Sequence, residues 1–271
     1  MESLATLWKP AFLGILEGLT EFVPVSSTGH LIVASHFLGY GSPEFEIIIQ
    51  LGAMFALTWC TKERILELSG VRFSGGLGMR PEGRAFLARV LVAFLPAALV
   101  GFLMHDLVET YLFRPSFVAL MLVVGGVLIL LIDGPNRRGG IADVEHMSFA
   151  QAIAIGIGQC LSLLPGVSRS GATILTGLVA GLSRAAATEF SFFLALPTMY
   201  AAGLYTVWKA RDRLADELGL GMLVGLLAAY VSSLIVIRAF LRFVQTNSLR
   251  PFGWYRIVFG LFLLAFFLIP H

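Results

Sequence analysis

Residues 17–30, EGLTEFVPVSSTGH, put Glu17 and Glu21, the hydroxyls of Ser26, Ser27 and Thr28, and His30 into one short stretch. Residues four apart on a helix share a face, so the two carboxylates would repel unless a cation sat between them. A hard divalent ion with oxygen ligands and retained waters, Mg²⁺ or Ca²⁺, suits that pair. The plainer alternative is a helix end dipping into a polar interface. Pro24 removes a backbone donor and ends a helix, while a Ser or Thr can cap the next one. Ser26, Ser27, Thr28 and Gly29 would then form a turn rich in hydroxyls and free N–H groups at a helix N-terminus, which is an anion site. Hydroxyls that merely cap a bent helix are the other reading. His30, one turn beyond Ser27, could activate that serine, give a proton to a leaving phosphate or attack phosphorus itself.

A second polar stretch, PGVSRSGAT (165–173), supplies a cation: Arg169 stands between Ser168 and Ser170, with Gly166 and Gly171 around them. A planar guanidinium fork matches phosphate oxygens. It could equally be neutralised by Glu17 or Glu21, and a resting ion pair of that kind could open for substrate. His36, His105, His146 and His271 lack such company and read as structural or surface residues.

These stretches sit in a chain of 271 residues that is 57% hydrophobic and 13% charged, with a net charge of +2. Its mean hydropathy is +0.85. Soluble domains carry about 25% charged residues, so a soluble globular class is excluded and a multi-pass membrane protein is expected. Nothing in so modest a charge points to nucleic acid. Cys60 and Cys160, far apart in apolar segments, read as small buried residues. No cleavable leader is expected, because no basic region precedes the first apolar stretch.

A spanning helix needs roughly 20 apolar residues. Segments 86–104, 116–132, 186–208, 219–241 and 253–269 qualify, and 45–61 is a shorter sixth candidate. Residues 10–38 and 148–182 are apolar but interrupted by the two polar stretches, as expected of re-entrant hairpins. They also resemble each other: LGILEGLTEFVPVSSTG (13–29) aligns without gaps on IGIGQCLSLLPGVSRSG (155–171). Gly14 pairs with Gly156, Glu17 with Gln159 and Ser26 with Ser168, while FEIIIQ (45–50) falls near EFSFFL (189–194). The expected fold is an all-α membrane domain of six transmembrane helices plus two re-entrant hairpins. Its halves, 1–133 and 148–271, would each be a hairpin and three spans, related as inverted-topology repeats. Lys/Arg-rich loops, 62–89 and 238–256 with Arg137 and Arg138, should face the cytoplasm and 105–114 the outside. Both termini then lie outside.

The ordered motifs EGLTEFVPVSSTGH, FEIIIQLG (45–52), PGVSRSGAT and EFSFFLALP (189–197) resemble the undecaprenyl-diphosphate phosphatase family, of the bacitracin-resistance type, along the whole chain. That resemblance implies an integral enzyme of the bacterial inner membrane with an outward-facing site. The reaction implied is hydrolysis of a polyprenyl diphosphate, undecaprenyl diphosphate, to the monophosphate, with a divalent metal. This recycles the lipid carrier for cell-wall synthesis. It maps the metal-binding acids onto Glu17 and Glu21, the serine and histidine onto Ser27 and His30, and the arginine motif onto Ser168, Arg169, Ser170 and Thr173. Glu46, Gln50 and Glu189 lie in the other two motifs and are further candidates. Membrane lipids and a second copy of the chain, as a homodimer, are the expected partners.

Inverted repeats also describe a carrier, so a flippase for polyprenyl phosphate is the rival reading, and a membrane scaffold without turnover a third. The halves are asymmetric in a way that favours hydrolysis. Glu17, Glu21 and His30 are matched by Gln159, Leu163 and Ala172, and Ser27 by Arg169. Ser27 is the expected nucleophile with His30 as proton carrier, and His30 as direct nucleophile is the second choice.

Overall fold

The computed structural model describes residues 6–69, 81–112, 114–134, 139–217 and 219–268. Arg137, Arg138 and His271, named above, and residues 70–80 of the basic segment 62–89 fall outside them. The described residues form helices throughout: α1 (Trp8–Thr20), α2 (Ser27–Leu38), α3 (Pro43–Ser69), α4 (Pro81–Tyr111), α5 (Pro115–Ile132), α6 (Phe149–Gln159), α7 (Arg169–Val179), α8 (Arg184–Glu217), α9 (Leu220–Thr246) and α10 (Arg250–Leu268). A proline opens α3, α4 and α5, where a missing N–H costs no hydrogen bond. α6 begins with a capping box in which Ser148 and Gln151 satisfy each other's backbone N–H.

Five helices, α4, α5, α8, α9 and α10, are long and apolar enough to cross a bilayer. They match the five segments expected to span to within one residue at the ends of 219–241 and 253–269, and the chain is a multi-pass membrane protein. α3 has 27 residues but carries Lys62, Glu63, Arg64 and Glu67 in its last turns, and it is not among those five. The interrupted regions form two pairs of short helices, α1 with α2 and α6 with α7, of 13, 12, 11 and 11 residues. At 1.5 Å per residue each arm is under about 20 Å long, against a hydrocarbon thickness of about 30 Å.

The packing exchanges these arms between halves: α1 lies along α9, α6 lies along α4, and α5 pairs with α10. Glycine permits the closest approaches. A Cβ at Gly14 would overlap the Gly225 carbonyl of α9, and one at Gly156 would overlap the Ala93 carbonyl of α4. Phe22, fully buried in the turn after α1, meets Phe192 of α8 edge to face at 5.6 Å and joins that turn to the main core.

Charges gather at one end of the bundle. Arg64 at the end of α3 pairs with Glu189 at the start of α8 (2.8 Å), and also meets Asp143 and Glu145 of the connecting segment. Arg89 near the start of α4 donates to the Glu145 carbonyl. Buried Asp133, just past α5, accepts from Arg184 (2.8 Å) and from the Leu249 N–H (2.6 Å) before α10. The expected basic loop 238–256 is corrected. Arg238 and Arg242 lie on α9, only 247–249 connects it to α10, and Arg256 is 1% exposed inside α10. An arginine within an apolar span can be satisfied by backbone carbonyls, so its charge says nothing about the loop.

Candidate active site

Each hairpin turn closes on a serine in a conformation costly for a residue with a Cβ. Ser26 has φ 70° and Ser168 has φ 73°, and among the described residues these are the non-glycine residues with positive φ. Such strain, on the order of 1–3 kcal/mol, persists only where the surroundings enforce it. Each serine occupies the N-cap position of the helix that follows, and the first turns of α2 and α7, with Ser27 and Arg169 as first residues, line one cavity. Ser170 Oγ lies 3.1 Å from the Val23 carbonyl and 3.3 Å from that of Glu21, so one turn is fastened to the other.

Between the turns lies a cavity of about 220 Å³ lined by Glu21, Ser26, Ser27, Thr28, Gln50, Ser168 and Arg169, with Ser162, Thr198 and Met199. Ser27 Oγ donates to Glu21 Oε2 at 2.6 Å. Arg169 Nη2 approaches the other oxygen of the same carboxylate at 3.5 Å, while its Nη1 donates to the Ser191 carbonyl at 3.1 Å. A hydroxyl, a carboxylate and a guanidinium thus form one connected set, with two helix N-termini directed at the same space. That set can activate an oxygen nucleophile and hold an anion.

A larger chamber of about 710 Å³ adjoins it and shares Ser27, Thr28, Gln50 and Ser162. Glu17 and Glu46 line this chamber together with the apolar Leu31, Ile32, Ile47 and Met104. Glu17 is 1% exposed, and both its carboxylate oxygens are buried without a hydrogen-bond partner. A bare buried carboxylate is unfavourable alone and open to a cation. Among the described residues no group of three or more His, Cys, Asp or Glu could hold a metal. A Mg²⁺ or Ca²⁺ ion at Glu17 and Glu21 would therefore need phosphate and water oxygens to complete its shell, a coordination usual for Mg²⁺.

Other expected residues stand elsewhere. The His30 ring lies outside both spaces, stacked on Phe259 with centroids 4.5 Å apart. Its Nδ1 is 2.8 Å from the Ser26 carbonyl and its Nε2 is 2.6 Å from the Tyr255 hydroxyl. A carbonyl only accepts, so Nδ1 carries the proton and Nε2 receives the tyrosine's. Both nitrogens are engaged, and the bond to the Ser26 carbonyl ties the ring to the turn that carries Ser27. Thr173 does not face the cavity; it bonds Ser191 Oγ at 2.6 Å and so seats α7 on α8. Gly29 allows Leu122 to approach α2, Gly171 donates its N–H to the capping Ser168 Oγ at 3.1 Å, and Ser170 joins the two turns. Glu189 belongs to the Arg64 cluster, remote from the cavity lining. Cys60 and Cys160 are free thiols.

Tyr255, Ser191, Thr198, Met199 and Ser162 escaped the reading of the sequence, being polar or soft side chains with no spacing signal. Arg256 had a signal: a charge inside an apolar span.

Comparison with known proteins follows the same residues. The family model for the bacitracin resistance protein BacA matches residues 10–262. The chain is 44% identical to undecaprenyl-diphosphatase 3 of Acinetobacter baylyi, over 95% of this chain and 96% of that protein. It is 45% identical to an undecaprenyl-diphosphatase of Pseudomonas putida, over 96% of this chain and 94% of the relative. An undecaprenyl-diphosphatase of Acinetobacter baumannii is 44% identical, with 94% of each chain covered. With the family model matched over residues 10–262 and relatives 44–45% identical over nearly the whole chain, the chain belongs to the bacitracin resistance protein BacA family.

Proposed function

We propose that this protein hydrolyses undecaprenyl diphosphate to undecaprenyl phosphate and inorganic phosphate. The observation that carries this reading is the connected set Ser27, Glu21 and Arg169 at the junction of two helix N-termini, in a chain whose relatives bear that activity in their names. The terminal phosphate occupies the smaller cavity, and the isoprenoid tail leaves through the chamber lined by Leu31, Ile32, Ile47 and Met104.

Ser27 Oγ attacks the terminal phosphorus while its proton passes to Glu21, already hydrogen-bonded to it. The bond to the bridging oxygen breaks, and undecaprenyl phosphate departs with the proton from Glu21. Water, deprotonated by Glu21, then attacks the phosphoserine, freeing inorganic phosphate and restoring Ser27. Arg169 turns from Glu21 to the phosphate oxygens, where charge stabilisation is worth most in a site that excludes water. Ser26, Thr28 and Ser168 contribute hydroxyls and N–H groups to the same oxygens. Glu17 with Glu21 would hold a divalent cation, whose contribution is to neutralise diphosphate charge.

The six-span, inverted-repeat arrangement is part of this proposal, with α3 as the sixth span and both hairpins re-entrant. It is supported by the short arms, their exchange between halves, and the gathering of Arg64, Arg89 and Arg184 at one end. That end faces the cytoplasm of a bacterial inner membrane, with the termini and the site toward the outside. A cysteine in 105–114, in a background without Cys60 and Cys160, should react with an impermeant thiol reagent from outside, and one in 62–89 should not. Phosphate release from undecaprenyl diphosphate by the purified chain, with and without chelator, tests the activity. No release in either condition removes it.

A further inference from the structure

Arg256 is the largest fully buried side chain in the molecule's described part, 1% exposed, and it forms no ion pair there. Its guanidinium has five N–H bonds, and all five find backbone carbonyls. Nε donates to Leu122 O at 3.2 Å, and Nη2 donates to Met121 O at 3.1 Å and to Gly166 O at 2.8 Å. Nη1 donates to Pro24 O at 3.2 Å and to Val167 O at 3.0 Å. Pro24 stands two residues before the strained Ser26, and Gly166 and Val167 stand immediately before the strained Ser168. A single nitrogen, Nη1, therefore bridges the two turns, while Nε and Nη2 anchor them to α5, and Arg256 is not among the residues that line the cavity.

Burying an arginine without a carboxylate is costly unless every donor is satisfied. α5 makes room for this one: a Cβ at Gly125 would collide with the guanidinium. With no N–H left over, Arg256 cannot bind substrate oxygens as Arg169 can. We propose that Arg256 is a positioning residue. It sets the distance and angle between the Ser27 turn and the Arg169 turn, so that nucleophile and phosphate clamp meet the same phosphorus. Lysine keeps the charge but has three N–H bonds from one point, too few to hold both turns and α5. The inference rests on the hydrolytic reading above.

The test uses the full chain in detergent, measuring kcat and KM for undecaprenyl diphosphate beside thermal unfolding. Arg256→Lys should lose about 10²-fold in kcat, the scale of a misplacement near 1 Å. KM should move by less than about threefold, because ground-state binding of the tail is untouched. Gly125→Ala, which displaces the guanidinium without removing it, should lower kcat by about tenfold on the same scale. Gly260→Ala crowds the Ala119 carbonyl at the same α5–α10 interface, one helical turn from Arg256 and without touching the guanidinium. It should lower the melting temperature and leave kcat per folded molecule within about twofold.

Wild-type kcat in both Arg256→Lys and Gly125→Ala overturns the proposal, and so does an equal kcat loss in Gly260→Ala. Should Arg256→Lys fail to fold, Gly125→Ala decides. If neither folds, Arg256 is a determinant of folding and the kinetic role falls. Wild-type protein that releases no phosphate overturns the reading of function itself, and the clamp's kinetic role goes with it. An active wild type with indifferent variants overturns the clamp alone.

Discussion

The turn before α2 and the turn before α7 share a backbone and differ in almost every reactive side chain. Both end on a serine at φ near 70°, both start a short helix at the cavity, and both hand a carbonyl to Arg256. Yet the first helix opens with Ser27 and the second with Arg169, and Glu21 in one stands where Leu163 stands in the other. Even the buried residue one turn earlier differs only by an amide. Glu17 leaves both oxygens unpartnered, while Gln159 leaves Nε2 unpartnered and accepts from Thr198 at 3.4 Å. The difference teaches that the repeated backbone supplies shape, two helix N-termini facing one space. On the proposed mechanism the unrepeated side chains divide the chemistry, attack and proton transfer on one side and charge neutralisation on the other.

The division is tested most severely at the paired first helical residues. Ser27→Ala should lose about 10⁴-fold or more in kcat, the scale seen when a nucleophile is removed. The protein should stay folded, because among the described residues the Ser27 hydroxyl bonds Glu21 alone. Phosphate release and gel filtration check this together, and substantial turnover would move the attack to another atom.

Arg169→Lys comes next. It retains charge but cannot reach Glu21 and the Ser191 carbonyl at once, so a loss of about 10²–10³-fold is expected, as for removing a transition-state hydrogen-bond donor. Near wild-type kcat in the lysine variant would make the second turn a mere counter-charge.

Glu17→Gln makes the first hairpin match the second at that position. Activity should fall by about tenfold to a hundredfold, and the remainder should respond less to chelator, since one carboxylate of the cation pair is gone. Gln159→Glu should change kcat by less than about threefold, because no second carboxylate faces it at position 163. Equal sensitivity of the two variants would erase the asymmetry.

The smallest effect concerns the strained serines. Ser26 makes no side-chain cap bond, whereas Ser168 accepts from Gly171 N–H. Ser26→Gly should stabilise by about 1 kcal/mol through relief of positive φ. In Ser168→Gly the lost cap, also about 1 kcal/mol, offsets that relief. Thermal unfolding of the two variants measures the contrast.

Much of this was legible in the residues themselves. Runs of apolar residues determine which segments can lie in a bilayer, because transfer to hydrocarbon is a property of each segment alone. The Pro and Ser interruptions at 24–29 and 165–171 marked the turns, since a missing donor and a competing hydroxyl act within a few residues. The gapless match of 13–29 to 155–171 identified the matched turns, and the mismatches within it named Ser27, Glu21 and Arg169.

Tertiary structure decided what depends on helix rotation and on distant partners. His30 and Ser27 lie three apart on α2, yet one turns to Tyr255 and the other to Glu21, because the facing side of so short a helix is chosen by what packs against it. Thr173 and Glu189 have ordinary polar side chains whose partners, Ser191 and Arg64, are set by how α7, α8 and α3 meet. Arg256 is the extreme case. Its carbonyl partners are separated from it by 89 to 232 residues, and no local pattern encodes an arginine's match to five backbone oxygens. The sequence alone determined the elements and the unequal chemistry of the two turns. The packing of α5 and α10 behind them, with Ser170 between them, decided that those turns meet, because the partners of Arg256 and Ser170 there are backbone carbonyls that every sequence possesses.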